Sequence, residues 1–328
     1  MKEVLHLARF ELERIFSGPR LLIWIALVLF MSFSSGENAL QIALSTGAPS
    51  TELSILDPFY LGLNSPDIAG LLLPATCLFL CADAFSKDTA TGYMRLVMCK
   101  INRSSSYWLA KVLASIIAVF ITLVFYFAGS LCYGAAIGMG LPTIHPASWL
   151  ASPGIDFTTL GSFCPIPPSW NYPGLTILLI VTFTLVESAV TLPVQAVLGR
   201  SRSPHAPIVV SILLVVFANM LSYLCNSLGL MLNMPWMLTS VGWISDRFTL
   251  ANYRLDASFF QTIAGTKAAG SGISSAGPQS LAFPINSWAS ILIICATLFL
   301  VAAFFVWQLK RTEGVTISNT RKKGLLHG

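Results

Sequence analysis

The residues with which this chain could do acid–base, nucleophilic or metal chemistry are few and scattered. Its four histidines, His6, His145, His205 and His327, lie near the ends of apolar runs or in tails, and no two are close in sequence. The cysteines are Cys77, Cys81, Cys99, Cys132, Cys164, Cys225 and Cys295. Most sit inside apolar runs, where Cys behaves as a small hydrophobe. None has zinc-finger spacing or suggests a disulfide framework, although Cys77 and Cys81, four apart, would share a helix face. The sequence contains no G-x-x-x-x-G-K-[ST], H-E-x-x-H or G-x-S-x-G. An enzyme is not expected, nor a metal or cofactor held by this chain, nor a nucleic-acid partner. One acid does fall deep in an apolar run: Glu187, in 180-IVTFTLVESAVTLPVQ-195. A carboxyl at mid-bilayer depth is costly and normally faces protein or water. Glu187 is thus a candidate for a translocation path, for a bond that sets an interface between spans, or for a purely structural group. Ser188, Thr191 and Gln195 could share its face at three- to four-residue spacing, and Pro193 would free a backbone carbonyl near Ala189.

The remaining chemistry is charge, concentrated in 84-AFSKDTATGYMRLVMCKINRSSSYWLAK-111. What positions this segment is an apolar frame. Of 328 residues, 55% are hydrophobic and 10% charged, against about 25% charged in a soluble domain. The expected fold is an all-α polytopic membrane protein. Residues 1–19 are expected to form an amphipathic helix, with Leu5, Ala8, Leu12, Ile15 and Phe16 near one face and Gly18-Pro19 ending it. No cleavable signal peptide is expected, because the apolar stretch follows this charged leader. The domain 20–309 should hold six spans, at about 20–35, 68–84, 107–134, 175–199, 206–228 and 288–309, with a basic tail at 310–328. The first span is short. Residues 36–67 and 142–173 read as outer loops. The outer segment 229–287 opens with an aromatic stretch, MPWMLTSVGWISDRF, suited to a re-entrant or short-helical piece before span six.

Orientation follows from the cations. With the N-terminus inside, the cytoplasmic segments carry four, five, two and five Lys/Arg, sixteen of the nineteen in the chain, while the outer segments carry seven acids. Both termini are therefore expected in the cytoplasm. Within the loop between spans two and three, Asp88 followed by Thr89 suits a helix start, after which Tyr93, Leu96, Val97 and Lys100 would share one side. Such a short helix, with a mixed apolar and basic face, is of the docking kind; a membrane-surface helix held by anionic lipid is the alternative. Asp83 marks the inner end of span two.

This layout resembles the permease subunit of an ABC-2-type transporter, the type V exporter fold. Its members have an amphipathic elbow helix, six spans, both termini inside and a helical connection between spans two and three. That connection is similar to a loose pattern of an acid, a Gly, an Arg and a Lys, here Asp88, Gly92, Arg103 and Lys111. The family's acid is often Glu, and its Pro before the Arg has no counterpart in 99-CKINR-103. The resemblance implies a plasma-membrane exporter subunit in which two permease copies, or one with a sister permease, form the pathway. Separate ATPase subunits would bind ATP and Mg and dock on the loop. The coupling residues it implies are Asp88, Gly92, Tyr93, Arg95, Leu96, Arg103 and Lys111, with Arg9 and Arg14 on the elbow. The cargo would be a peptide, a lipid-like molecule or a drug-like molecule. An ATP-independent secondary transporter would require inverted repeats and several intramembrane ionisable groups, and the sequence shows neither. A membrane-anchored sensor would require a compact outer domain, yet 229–287 is partly Gly/Ser-rich.

Overall fold

A computed structural model describes residues 2–46, 54–64, 67–93, 96–97, 104–140, 172–199, 201, 203, 205–231, 295–304 and 306–308. The predicted re-entrant segment and the basic tail lie outside them. Among the described residues the fold is helical with no strand; one bridge joins Ser54 to Gly140. In chain order the helices are α1 (Lys2–Ile15), α2 (Pro19–Thr46), α3 (Asp57–Asn64), a π-helical turn (Ile68–Leu72) leading into α4 (Leu73–Cys81), and α5 (Ala84–Thr91). They continue with α6 (Ser104–Ala136), α7 (Tyr172–Leu198) and α8 (Ala206–Met231), and α9 (Cys295–Gln308).

Four stretches are long and apolar enough to cross a membrane: Pro19–Gln41, Ile68–Thr91, Ser105–Ala136 and Leu179–Leu198. This is the architecture of a helical membrane protein. Two shorter apolar helical stretches, Ala206–Phe217 and Cys295–Gln308, fall where the fifth and sixth spans were predicted.

The first span is longer than its 16-residue apolar run predicts. The run stops at Gly36-Glu37-Asn38, but α2 continues to Thr46. The structure accommodates these residues inside the bundle. Gly36 lies against the ring of Tyr133 on α6, where any side chain would collide. The Tyr133 hydroxyl donates to Glu37 Oε1 at 2.5 Å. Polar residues that find partners on a neighbouring helix do not end a helix.

Residues 57–64 also depart from the predicted outer loop. They form α3, which begins at Asp57-Pro58, a proline placed in the first turn where its missing N–H costs nothing. Asp57 Oδ2 accepts the Ser54 N–H at 2.7 Å and pins the turn before it. Phe59 and Leu63 are fully buried against α2 and α6.

Small residues let these helices approach closely, the usual device where no hydrophobic drive separates helix from lipid. Gly62 meets Ser35 and the Tyr126 hydroxyl, and Gly129 meets Ser32. Ser35 Oγ is hydrogen-bonded to Tyr126 Oη, and Trp24 Nε1 donates to Thr122 Oγ1 at 3.1 Å. The core runs through α1, α2, α3, α4, α6 and α7.

In span two, the π turn sits immediately before Pro74. The ring of Pro74 would crowd the carbonyl four residues back in an α-helix. The Leu73 N–H instead reaches Ile68 O, five residues back. At the other end, Ala82 and Asp83 form a turn, so α5 is a separate short helix. Gly129→Leu is expected to destabilise the protein by about 1–3 kcal/mol through overpacking against Ser32. Thermal unfolding in detergent reads this, and an unchanged midpoint would show that the α2–α6 contact tolerates bulk.

Candidate functional site

The charged segment folds into one buried cluster. Lys111 enters it from the first turns of α6, Asp88 from α5, and Glu11 and Arg14 from α1. Lys111 is 1% exposed, Asp88 0% and Glu11 4%. An ammonium has three protons to place, and Lys111 Nζ has three acceptors: Asp88 Oδ2 at 2.6 Å, the Ala84 carbonyl at 2.7 Å and Glu11 Oε2 at 3.2 Å. Arg14 Nη1 pairs with Asp88 Oδ1 at 2.5 Å, and its Nη2 lies 3.5 Å from Glu11 Oε2. The Tyr107 hydroxyl donates to Asp88 Oδ2. Lys111 also lies 5.2 Å from the centre of the Tyr107 ring and 5.8 Å from that of Phe85.

Two acids and two bases make the cluster neutral overall. Burial works against the Arg14 charge, but the carboxylates of Asp88 and Glu11 outweigh it and hold the guanidinium above its ordinary pKa. Arg14 therefore stays cationic throughout the neutral range.

A second pair lies beside the first. Arg20, at the start of α2, grips both oxygens of Asp83 in a bidentate pair, with Nη1 at 2.9 Å from Oδ1. Together the two sets of contacts bind α1, α2, α5 and the base of α6 into one layer. On the remaining side, Thr89 Oγ1 on α5 reaches the Gly199 carbonyl, just past α7, at 3.4 Å.

The predicted residues divide into groups. Asp88, Lys111 and Arg14 are brought together. Asp88 is not a helix start, however: it lies inside α5 and is fully buried, and the helix begins at Ala84 because Asp83 turns the chain. Gly92 ends α5 in the left-handed region at φ 71°, where a side chain would be strained. Tyr93 lies under Arg14, 5.6 Å from ring centre to guanidinium, and stacks on Phe10.

Leu96 and Val97 do not share a face: Val97 is buried with Phe85 and Tyr107, whereas Leu96 is 66% exposed. Arg9 stays outside the cluster and pairs with Glu13 at 3.0 Å on the exposed side of α1. Arg95, Lys100 and Arg103 lie outside the described residues.

The buried face of α1 is largely the predicted one: Ala8 and Ile15 are buried and Leu12 and Phe16 pack against the core, but it also includes Glu11 and leaves out Leu5. Glu11 was missed, although the signal was present. It falls three residues after Ala8 and four before Ile15, an acid within the apolar stripe that asks for a buried partner.

Glu187 is buried in α7 at 1% exposure, and neither carboxyl oxygen has a hydrogen-bond partner among the described residues. Ser188, Thr191 and Gln195 are buried as Glu187 is, but none of their side chains is hydrogen-bonded to its carboxyl. Ser188 Oγ is likewise unpartnered. Thr191 Oγ1 donates back to the Glu187 carbonyl at 2.6 Å, and Gln195 exchanges hydrogen bonds with Ser115 of α6 at 3.1 and 3.2 Å. These four side chains are buried within this chain. Among the described residues no group of His, Cys, Asp and Glu is arranged to hold a metal.

No protein-family model matches the chain, and comparison with curated proteins finds no match.

Removing one member of a buried ion pair leaves the other charge stranded, at a cost of about 3–5 kcal/mol. Lys111→Met is therefore expected to be strongly destabilising. Combined with Glu11→Gln, which restores neutrality, it should recover part of the loss. A double-mutant cycle in detergent unfolding reads the coupling, and additive losses would show that Lys111 and Glu11 do not act as a unit.

Proposed function

We propose that this chain is the membrane-spanning subunit of an ATP-driven ABC exporter of the ABC-2 type, working as a dimer with separate ATPase subunits. The observation that carries the reading is the neutral, buried cluster of Glu11, Arg14, Asp88 and Lys111. It ties the amphipathic helix, the helix of the loop and the first turns of a spanning helix into one body. A partner pressing on the loop would then move α6 directly, without first unfolding a soft connection.

In this reading the residues carry distinct roles. Asp88, Lys111 and Arg14 are positioning residues, since each is engaged inside the chain. The gripping surface has the exposed Leu96 as its described apolar contact, and Arg95 and Arg103 would be its cations. α1 is the elbow and α5 the coupling helix, both cytoplasmic. ATP and Mg are bound by the partner. The six spans complete the permease fold, and the cargo is a peptide, a lipid-like or a drug-like molecule.

Glu187 supports a second reading, an ion-coupled transporter, because a buried carboxyl with no donor among the described residues is the kind of group such proteins use. One assay separates the two. The chain, purified with the proteins encoded beside it and placed in sealed vesicles, is expected to bring an ATPase with it and to move cargo only with ATP and Mg. The ATPase should dissociate when Leu96 and Arg103 are replaced by Asp and Glu. Uptake driven by an ion gradient without nucleotide would overturn the exporter reading. Glu187→Gln is expected to leave the detergent melting profile unchanged and to alter transport; unaltered transport would make Glu187 a structural group.

A further inference from the structure

One buried acid has no part in the ion clusters. The acids buried among the described residues are Glu11, Asp57, Asp83, Asp88 and Glu187. Four of them are met by donors. Glu11 and Asp88 face Lys111 and Arg14, Asp83 faces Arg20, and Asp57 accepts the Ser54 N–H. Glu187 differs. It is the ninth residue of the apolar stretch Leu179–Leu198, and neither of its carboxyl oxygens has a partner among the described residues.

The groups around Glu187 bring no positive charge to it. Cys77 of α4, itself wholly buried, is near enough to interact electrostatically with Glu187. From α9, Cys295 packs with Val186 and Ala189, which flank Glu187 in sequence. The Ala206–Phe217 part of α8 has no titratable residue. The cations of α2, α5 and α6 lie at the charged end. Arg20 is held by Asp83, six residues beyond Cys77, and Lys87 is at the level of the ion cluster on α5. Ser115 of α6 meets Gln195 of α7. Lys111 lies four residues to the charged side of that contact, and Glu187 lies eight to the other side. At about 1.5 Å per residue the two are about 18 Å apart along the bundle, and Lys111 is already committed to Asp88 and Glu11. An ionised carboxylate buried without a partner is so costly that such a group takes up a proton instead. A metal cation would ask for several oxygens at once. Here Ser188 Oγ is the other unpartnered oxygen on this part of α7, and Thr191 turns its hydroxyl back to the Glu187 carbonyl. A proton needs one oxygen.

We propose that Glu187 is a proton-binding site: the folded chain carries a proton on this carboxyl in the neutral range, and the site takes a proton in preference to a metal cation. The assignment holds whichever force drives transport. If cargo moves with an ion gradient, this proton is the coupling ion. If it moves with ATP, the proton keeps α7 seated on α4, because ionisation would leave an unpaired charge beside Cys77.

The test uses the full chain in phosphatidylcholine vesicles and the isosteric, uncharged variant Glu187→Gln. In the infrared difference between the two proteins at neutral pH, wild type is expected to show the carbonyl stretch of a protonated carboxyl, lost in the variant. A carboxylate stretch in its place overturns the proposal. Dicyclohexylcarbodiimide, an apolar reagent, gives a second readout. A protonated carboxyl adds its O–H across one C=N bond of the reagent, and the acyl group then shifts from oxygen to nitrogen. The whole reagent is kept as an N-acylurea and nothing is released. Peptide mapping by mass spectrometry is expected to find it on Glu187, with less of it as the buffer is made alkaline and none in Glu187→Gln. Glu11, Asp83 and Asp88, held as carboxylates by their cations, should stay unmodified. Labelling suppressed by sodium or potassium, but not by choline at equal concentration, would mark a metal-cation site and also overturn the proposal. Where the reagent does not enter, the infrared difference decides. Neither readout involves transport, so this proposal and the transport readings fail or stand separately.

Discussion

The constraint on which the charged end of this bundle depends is the placement of Lys111. An ammonium taken out of water costs several kcal/mol even after relaxation, and attraction offsets that cost only when every proton and partner is satisfied. Lys111 meets the condition by drawing on two other helices: a carboxylate of α1, and a carboxylate and the first backbone carbonyl, that of Ala84, of α5. Asp88 then has capacity left for Arg14 and Tyr107. No one of these groups is satisfied unless α1, α5 and α6 all take their observed places. The cluster thus specifies an arrangement as much as it stabilises one. A hydrophobic contact of similar size would tolerate rotation of α1 by a residue or two, whereas a four-charge cluster does not.

Elsewhere the bundle handles polar groups locally. Ser32, Ser35, Thr76, Thr122, Ser130, Thr184 and Thr191 each return their hydroxyl to the carbonyl four residues back. These bonds are made within one helix, although Ser32, Ser35 and Thr122 also meet a neighbouring helix. Other polar contacts cross between helices, among them Trp24 to Thr122, Ser35 to Tyr126, Tyr60 to Thr176, Tyr133 to Glu37 and Gln195 to Ser115. Glu187 belongs to neither class. It is buried like the cross-helix groups but unpartnered among the described residues, which sets it apart from every other acid within the spans.

Much of this frame was legible in the sequence because apolar length is a local signal. The third and fourth spans were placed to within about three residues, and the break at Gly18-Pro19 appears where it was read. What failed depended on partners far away in sequence. Gly36-Glu37 looked like the end of a span because Tyr133, 96 residues on from Glu37, was not visible as its partner. The segment 57–64 looked like a loop because its Pro and Asn were weighed without the pocket that receives Phe59 and Leu63. Asp88 and Lys111 were singled out from a pattern, yet their burial was not readable until Glu11 and Arg14 were brought opposite them. Asp88-Thr89 resembled a cap, and a cap and a mid-helix ligand are indistinguishable by residue type alone.

These constraints also dictate where the bundle can yield. The charged layer is stapled twice, by the Lys111 cluster to α1 and α6, and by the Arg20–Asp83 pair to the start of α2. The turn at Ala82-Asp83 looks like a hinge in the backbone, but one of its residues is half of a bidentate ion pair, so bending there breaks a buried contact. Further along span two lies the other irregularity, the π turn of Ile68–Leu72 ahead of Pro74. There Gly70 and the proline already depart from regular winding, and no ion pair among the described residues crosses the junction. If the proposed coupling displaces the charged layer, the π turn of Ile68–Leu72 is where span two would yield first. π-helical turns recur at functional sites because a helix can lose or regain one residue of register there at little cost. In that reading the two ion-pair staples and the π turn would work together, with rigidity at the charged end directing any change of span two to Ile68–Leu72.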